Sequence, residues 1–384
     1  MNSRRRVLKR LACVALAGTA LVGVPARNQG SRPTFNVRDF GARADSATVD
    51  ADAIQRTLDA ARQQSGADVL FPAGEYWLGN IAADALLTLS NAEDLNLVGE
   101  GATLRCRTTS GIAQILLVAG CRKLAISGLR FIDDGLNRQI TWQGAVAIHI
   151  SGDGGVDSSL VTVANCTFDS VLSALTVGGG TGRVRGITLS NLDVRGAYYG
   201  LNFQNNGDNV IGRDLRFSDV RRSYFPYGVD DHDIAFTSER NRTGSTDILI
   251  KCYSLPTTNI VVNATSRGKR QGDAIVAFEQ QHQTGQGLIS GVKVNLQVSD
   301  AQCALRSIFL FVSGAPDGSV QDRTTCVWRD ITLDGQSMFC EAATKFIELK
   351  SSPEQVATVT LGPGIEDRFI PSDANSAFRF VRGS

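Results

Sequence analysis

Two patterns of apolar residues divide the chain. Over residues 51–64 the apolar positions recur at helical spacing, and Asp50 just before them is a residue type that caps helix N-termini. The segment is therefore predicted to be one amphipathic helix that stops before Gly66. From residue 85 to about 350 the apolar runs are short, alternate with polar positions and are separated by turn-forming residues, which predicts β-strands. The helical stripe consists of Ala53, Ile54, Leu58 and Ala61.

A six-residue motif recurs in the strand-like region: apolar, two small or polar residues, apolar, polar, apolar. Its first three copies begin at Ile126, Val163 and Leu189, which are 37 and 26 residues apart. Imperfect periods of about 20–40 residues indicate a solenoid whose coils each supply short strands and a turn. A β-sandwich also has many short strands, but it does not explain a recurring motif. A fourth copy is Ile289–Val294, and Asp133–Gly144 is expected to be a loop that lengthens the first interval.

The N-terminus has the pattern of an export signal. Ser3–Lys9 carries the consecutive arginines of bacterial twin-arginine signals, and the apolar stretch Leu11–Val24 has 14 residues, fewer than the ~20 needed to span a membrane. Small residues before position 27 predict cleavage after Ala26. We expect residues 1–26 to be removed and the mature protein to be periplasmic or secreted through the twin-arginine pathway, without a membrane anchor.

Charge distinguishes one segment from the rest of the mature chain. The whole chain has a net charge of +1, but without residues 1–26 it has 34 basic and 38 acidic residues, a net of −4 that argues against a nucleic-acid binder. Residues 183–270 hold 13 basic and nine acidic residues, a local net of +4. This field favours an acidic polysaccharide, such as a polyuronate, as the partner. The alternative is a set of solvated surface arginines without a ligand.

The densest group of chemically competent side chains surrounds one histidine. His232 is one of three histidines and lies among Asp230, Asp231 and Asp233. Neighbouring carboxylates raise the pKa of an imidazole and orient it, as proton transfer requires. Tyr227 offers a second proton donor or acceptor close by. His232 and Tyr227 are therefore candidates for proton-transfer residues.

The segment around residues 35–80 resembles a known superfamily. Asn36–Ala42, Ala53–Gln55 and Phe71–Tyr76 are similar to the N-terminal region of the pectate-lyase-like proteins. The resemblance implies an all-β fold, a right-handed parallel β-helix over residues 34–350 with the helix closing its N-terminal end. Residues 351–384 then form a C-terminal closing segment. This superfamily includes lyases, hydrolases, epimerases and non-catalytic proteins, so it implies the fold more strongly than the reaction.

A local resemblance points to one chemistry. Tyr227–Asp233 resembles the Tyr-Gly-Phe/Ile-Asp-Pro-His-Asp/Glu motif of the mannuronan 5-epimerases, with Asp231 at the proline position. It implies catalytic roles for Tyr227, Asp230 and His232, and for a downstream arginine that offsets the substrate carboxylate, matched here by Arg270. Protonation from the opposite face would give epimerisation, and loss of the 4-linked sugar would give elimination. The expected substrate-binding residues are Arg222, Asp231, Asp233, Arg267 and Lys269.

Three alternatives stay open at this stage. His232 shares strand parity with Ile234 and Phe236, so a strand that begins at His232 would turn the ring inward as a structural residue. Asp230 and Asp231 could instead serve hydrolysis, which needs two carboxylates. The chain could also be a non-catalytic β-helix protein that binds or organises a polysaccharide.

Other polar and sulfur-containing residues complete the expectations. Glu279–Gln283 is interpreted as a polar turn, and His149 as an exposed residue of an alternating strand. No cofactor or metal is predicted, because the chain has no Asp-x-Asp-x-Asp-Gly loop, although scattered carboxylates keep calcium as an alternative. Four cysteines in strand-like runs are expected to be buried and inert: Cys106, Cys121, Cys166 and Cys326.

Overall fold

The computed structural model describes the chain from residue 32 onward with internal gaps. The described residues are 32–82, 84–135, 143–243, 246–253, 255–280, 287–299, 303–313, 326–336, 345–350, 356–363, 365 and 378–383. All of them except Arg32 belong to one compact unit, Pro33–Ser384. The predicted signal peptide and most of the predicted loop after Asp133 lie outside the described residues. Within the described part, no helix is long and apolar enough to cross a membrane.

Parallel strands stack coil upon coil into three faces, here named sheets A, B and C. Sheet A contains β1 (Thr34–Asn36), β3 (Ala67–Phe71), β10 (Ser158–Ala164), β24 (Val356–Leu361) and β25 (Phe378–Arg382). Sheet B contains β2 (Asp45–Val49), β4 (Gly74–Ile81) and β11 (Thr167–Asp169). Sheet C contains β5 (Asp84–Ser90), β7 (Ile112–Ala119), β9 (Gly144–Ser151), β12 (Ser173–Gly178), β14 (Tyr199–Gln204), β16 (Arg222–Tyr227), β18 (Ile248–Cys252), β21 (Cys303–Ser313) and β23 (Lys345–Lys350).

Eight longer strands turn the corner from sheet A into sheet B. All ladders between the described strands are parallel, and the end of β19 continues into sheet C. The prediction of a right-handed parallel β-helix is therefore confirmed. The long strands are β6 (Glu93–Thr108), β8 (Arg122–Asp133), β13 (Val184–Arg195), β15 (Gly207–Ser218), β17 (Asp230–Thr243), β19 (Thr257–Gln280), β20 (Gly287–Ser299) and β22 (Cys326–Gln336).

The repeated motif corresponds to the stacking of coils. Val163 pairs with Ile126 on one side and with Leu189 on the other, so the first three copies lie in register. The buried ring of Phe168 stacks on Phe131, with centroids 5.3 Å apart. The fourth copy is out of register, because its last residue occupies the row in which the other copies begin. Chance similarity of two alternating runs accounts for that copy.

A helix α1 spans Ala51–Ala61, three residues shorter than the predicted 51–64. Its buried face packs against β5 and a short 3-10 turn at Val37–Phe40. Asp50 does not cap the helix as predicted. Its carboxylate instead accepts hydrogen bonds from the backbone N–H groups of Arg43 (2.7 Å) and Ala44 (3.0 Å), so it stabilises the preceding turn.

One left-handed residue per coil sets the register of sheet A. Asn209, Asp231 and Asn259 have φ values of 55°, 61° and 54° at equivalent positions. Asn and Asp tolerate this conformation because their short side chains can hydrogen-bond locally. In each coil of sheet A, the residue that follows the left-handed position points into the solenoid. These inward residues are Leu95, Leu124, Val161, Ile187, Val210, His232, Ile260, Val292 and Ile331.

The interior is apolar, and the cysteine predictions hold where they can be checked. Cys106, Cys121 and Cys166 are buried, and burial raises the pKa of Cys166 to about 11. The side chain of Cys326 lies outside the described residues.

Candidate active site

His232 lies inside the solenoid, so the structure contradicts its predicted role as a proton-transfer residue on the surface. The ring is 1% exposed and sits between Val210 and Ile260 in the inward row. A carbonyl can only accept a hydrogen bond, so Nε2 must donate to the oxygen of Gly207 (2.6 Å). Nδ1 then accepts from the hydroxyl of Tyr224 (2.8 Å). Both nitrogens are occupied, and burial lowers the pKa of His232 to about 4.

The three aspartates around His232 do not orient its imidazole. Asp230 is exposed and accepts hydrogen bonds from Thr258 Oγ1 (2.5 Å) and Asn259 Nδ2 (2.8 Å) of the next coil. Asp231 occupies the left-handed turn position that aims the following residue inward. Asp233 forms an ion pair with Arg213 on the outer surface, with a separation of 2.5 Å. These carboxylates stabilise turns and neighbouring coils, which corrects the prediction that Asp230 or Asp233 holds the ring.

The predicted basic residues are spread over different parts of the fold. Arg267 is exposed at the end of the sheet B part of β19, where its backbone pairs with Glu239 and Ser299. Arg270 also lies on β19, with its backbone paired to Arg242, and the side chains of Lys269 and Arg270 lie outside the described residues. The proposed convergence of Tyr227, His232 and Arg270 on one accessible face therefore fails at His232.

Tyr227 and Arg222 do lie on a common surface, the outer face of sheet C. Both belong to β16 and both are half-buried. The ring of Phe225 lies between them, 5.3 Å from the ring of Tyr227 and 5.6 Å from the guanidinium carbon of Arg222. The structure places further aromatic and charged residues around this ring. Together they form what we call the tyrosine–cation cluster: Tyr198, Tyr199, Arg222, Phe225, Tyr227, Lys251, Tyr253 and Glu279.

Register explains why these residues meet. Arg222 pairs with Tyr199 of the previous coil. Five residues further along the strand, Tyr227 pairs with Lys251, and Lys251 pairs with Glu279. Parallel strands lie about 4.8 Å apart, so the backbones of Tyr227 and Glu279 are separated by about 10 Å. Residues that are more than 20 positions apart in sequence thus become neighbours on one face.

The two cations of the cluster contact aromatic rings. The guanidinium of Arg222 lies 5.8 Å from the ring centroid of Tyr199, and its Nη1 donates a 3.4 Å hydrogen bond to the Tyr199 hydroxyl. The ammonium of Lys251 lies 5.7 Å from the Phe225 ring and forms a 2.8 Å ion pair with Glu279. Cation–π contacts of this kind strengthen where water is excluded, and the side chain of Lys251 is only 7% exposed.

Burial also controls the tyrosine hydroxyls. It raises the pKa of Tyr199 well above 10, with Arg222 opposing the shift only in part. Burial, reinforced by Tyr253, raises the pKa of Tyr227 to about 12. Both phenols are therefore protonated at neutral pH and act as proton or hydrogen-bond donors.

A buried amide oxygen on the same face has no hydrogen-bond partner among the described residues. It is Oδ1 of Asn202, a residue on the outer face of β14 that is in register with Phe225 and 7% exposed. A buried carbonyl without a donor costs about 1–3 kcal/mol, so such an atom indicates a missing partner. A sugar hydroxyl is a donor of the right kind.

Sequence reasoning missed Tyr199, Asn202, Lys251 and the role of Glu279. One signal was available, because Tyr199-Gly200 is a second Tyr-Gly pair in the chain. The motif to which Tyr227–Asp233 was compared has a carboxylate and an imidazole after its Tyr-Gly pair. At Tyr199-Gly200 the corresponding positions hold the amides Asn202 and Gln204.

Two weaker expectations for polar residues are also corrected. Glu279 and Gln280 end a strand and do not form a turn, while Gln281–Gln283 lie outside the described residues. His149 is half-buried on sheet C and its Nε2 contacts the Gly178 carbonyl oxygen at 3.0 Å. In the described ranges no group of three or more His, Cys, Asp or Glu residues could hold a metal ion.

The fold and this face define a carbohydrate-associated class of parallel β-helix proteins. Residues 34–225, half of the chain, match the family described as rhamnogalacturonase A/epimerase, pectate lyase-like. The chain belongs to this family.

Individual relatives are similar over shorter or more distant stretches. Alginate lyase 7 of Azotobacter vinelandii is 42% identical over 69 residues, 17% of this chain and 8% of that protein. Mannuronan C5-epimerase AlgE3 of the same organism is 44% identical over 69 residues, 17% of this chain and 4% of that protein. The catalytic domain of a GH87 alpha-1,3-glucanase superposes with a TM-score of 0.52 at 13% identity, covering 94% of this chain and 70% of that domain. The matched segments span less than a tenth of the two curated relatives.

Proposed function

We propose that the protein acts on an acidic, uronate-containing polysaccharide at the tyrosine–cation cluster, by abstracting a proton as a lyase or 5-epimerase does. The observation that carries the proposal is that Arg222, Tyr227 and the Lys251–Glu279 ion pair lie around the ring of Phe225 on the outer face of sheet C. Arg222, Tyr227 and Glu279 are partly exposed, whereas Tyr199 and Phe225 are almost fully buried. A bound sugar would contact the exposed three.

Each of the three residues has a distinct task in this proposal. Arg222 offsets the uronate carboxylate, which makes the adjacent H5 more acidic. Glu279, oriented by Lys251, is the carboxylate that accepts H5. Tyr227, protonated at neutral pH, donates a proton to C5 or to the departing glycosidic oxygen. The backbone separation of about 10 Å between Tyr227 and Glu279 leaves room for one sugar ring between base and acid.

The names of the relatives agree with this substrate class. One is an alginate lyase and one a mannuronan epimerase, and each resemblance covers 69 residues rather than a whole enzyme. Proton abstraction is common to elimination and epimerisation, so one set of residues serves both outcomes.

Incubating residues 27–384 with polymannuronate and polygalacturonate tests the proposal. Ultraviolet absorbance reports elimination, proton NMR reports epimerisation and reducing ends report hydrolysis. Tyr227→Phe should lower kcat at least 100-fold, as expected for loss of a general acid. Arg222→Ala should raise KM about tenfold, with partial recovery in Arg222→Lys. Arg122→Ala, which removes an exposed ion-paired arginine elsewhere, is the control and should change neither value.

The outcome also separates lyase and epimerase from hydrolase. If reducing ends are released but neither ultraviolet absorbance nor inversion at C5 appears, the reaction is hydrolysis and the proposed proton abstraction is wrong. Turnover that is unchanged in both Tyr227→Phe and Arg222→Ala would remove the cluster from the reaction altogether.

A specific observation favours a second candidate, a non-catalytic protein that binds acidic polysaccharide at the same cluster. Asn202 and Gln204 are amides, and neither can transfer a proton as a carboxylate or imidazole can. If the protein only binds, polymannuronate or polygalacturonate should bind without turnover. Arg222→Ala should then lower the binding affinity about tenfold.

Export belongs to the proposal, since a polysaccharide partner lies outside the cytoplasm. The residues that support it are the paired arginines and the short apolar stretch of the N-terminus. Replacing Arg4 and Arg5 by Lys should retain the protein in the cytoplasm, as judged by cell fractionation and immunoblotting. Unchanged export of the double variant would contradict the twin-arginine route.

A further inference from the structure

A second concave surface lies at the corner between sheets A and B, away from sheet C. It is an open groove of about 640 Å³, which we call the corner groove. Five successive strands contribute to it: β15, β17, β19, β20 and β22. Its polar lining consists of Asp214, Arg216, Thr237, Asn263, Thr265, Asn295, Gln297 and Asp334.

The backbone explains why the groove begins where it does. In earlier coils the corner residues are left-handed, with φ of 54° at Asn165, 48° at Asn191 and 56° at Asp214. A left-handed residue makes a tight corner between two strands. The equivalent residues of the following coils, Asn263 and Asn295 among them, do not have positive φ. Their strands pass from sheet A into sheet B without a tight turn, and the outer surface there is concave.

The centre of the groove is lined by neutral hydrogen-bonding groups. Asn295 Nδ2 donates to Asn263 Oδ1 at 2.6 Å, which leaves the second Nδ2 hydrogen and the Oδ1 of Asn295 to other partners. The side chains of Thr237, Thr265 and Gln297 follow in the adjacent row. The residues that alternate with these polar groups along the strands are buried in the hydrophobic core, so they contribute no side chain to the outer surface: Leu215, Phe236, Ala264 and Leu296.

Charge distinguishes this surface from the tyrosine–cation cluster. The corner groove has one arginine and two aspartates, Arg216, Asp214 and Asp334, so its fixed charge is slightly negative. This charge gives a polyuronate no net attraction to the groove. A neutral glycan has only hydroxyl and ether oxygens, which amides and threonine hydroxyls match as both donors and acceptors.

We propose that the corner groove is a second glycan-binding site, which takes an extended neutral polysaccharide strand. The five strands span about 19 Å across the groove, the length of about four linked sugars. The ligand lies across the strands, so that successive sugars meet successive coils. This site is independent of the proposed reaction at sheet C, and it would let one molecule hold a neutral glycan while an acidic one occupies the cluster.

Affinity electrophoresis of residues 27–384 through gels that contain dextran, laminarin, galactomannan or xyloglucan tests this site. We expect retardation by at least one of these neutral polymers. The double variant Asn263→Ala/Asn295→Ala should weaken the retardation about tenfold, because it removes two amides from the centre of the groove. Ala235→Trp fills the same groove without removing a hydrogen bond and should have the same effect.

Two controls make the result specific. Asn191→Gly removes an amide that forms the same kind of pair, 2.8 Å from Asn165, at the same corner but outside the groove. Glycine keeps the left-handed backbone of that position, so retardation should not change. Arg222→Ala should weaken binding of polymannuronate and leave neutral binding intact, which separates this proposal from the proposed function. No retardation by any neutral polymer, or retardation unaffected by Ala235→Trp, would overturn it.

Discussion

The buried imidazole of His232 makes the stability of the protein depend on pH in a calculable way. Its pKa is about 4 in the folded chain because of burial, against 6.5 for an ordinary histidine. The unfolded chain therefore binds a proton more readily than the folded chain between these two values. The contribution of the neutral His232 ring to the unfolding free energy is fully present above about pH 6.5 and is lost progressively as the pH falls towards 4. A shift of this size corresponds to roughly 3 kcal/mol of unfolding free energy.

The variant His232→Leu isolates this contribution. Leucine fits an inward row that already contains Val210 and Ile260, but it leaves the Gly207 carbonyl and the Tyr224 hydroxyl without their histidine partner. At about pH 7.5 we expect the variant to be less stable by about 1–3 kcal/mol. At about pH 4 the wild type has lost its histidine contribution, so the difference should vanish or reverse sign.

Equilibrium urea unfolding of both proteins at several pH values measures the difference between the two stability curves. All other titrating groups, including the half-buried His149, are common to both proteins and cancel. A difference that stays constant within about 1 kcal/mol between pH 7.5 and 4 would refute the buried neutral ring. Loss of turnover in His232→Leu with unchanged unfolding free energy would instead restore the catalytic hypothesis.

Two further substitutions test the packing of the solenoid and the charge balance of the cluster. Phe168→Ala should reduce the unfolding free energy by about 3–5 kcal/mol, because it removes a buried ring stacked on Phe131; a loss below about 1 kcal/mol in urea unfolding would contradict this stacking. Glu279→Gln should lower the unfolding free energy by about 3 kcal/mol, because it leaves the buried Lys251 ammonium without this counter-ion. In the same measurement Glu93→Gln, which breaks an exposed ion pair, should lower it by less than about 1 kcal/mol. Equal costs for the two glutamate variants would contradict the burial of the Lys251 pair.

The class of fold was accessible from the sequence because strands and turns leave local traces. The spacing of Ile126, Val163 and Leu189 corresponds to the coil repeat that the strand pairing shows. The first residue of the helix was also predicted, because the apolar stripe of a helix of about three turns is a local pattern. The fourth motif copy shows the limit: Ile289–Val294 has the right pattern in the wrong register, because a six-residue pattern carries no information about which strand lies beside it.

The candidate site was only partly accessible. Tyr227 and Arg222 were both predicted as site residues and both lie on the outer face of sheet C, but their neighbours Tyr199, Lys251 and Glu279 were not grouped with them. Each of those neighbours lies on a different strand, and their adjacency depends on the number of residues in the intervening turns. Turn length varies from coil to coil in this chain, so sequence distance does not predict which side chains stack.

The sequence by itself determined that the chain alternates short strands with tight turns, and hence that it stacks into a solenoid. Only the tertiary structure decided which side of each strand faces inward. At His232 the decision depends on a single left-handed residue, Asp231, since a shift of one position reverses the direction of every following side chain. The sequence Asp230–Asp233 therefore forms a turn followed by a buried imidazole. The tyrosines, the arginine and the lysine of the tyrosine–cation cluster are far apart in sequence but lie on one surface. Local patterns determine strands because pleating is local, whereas sites depend on register, which pairing between coils sets.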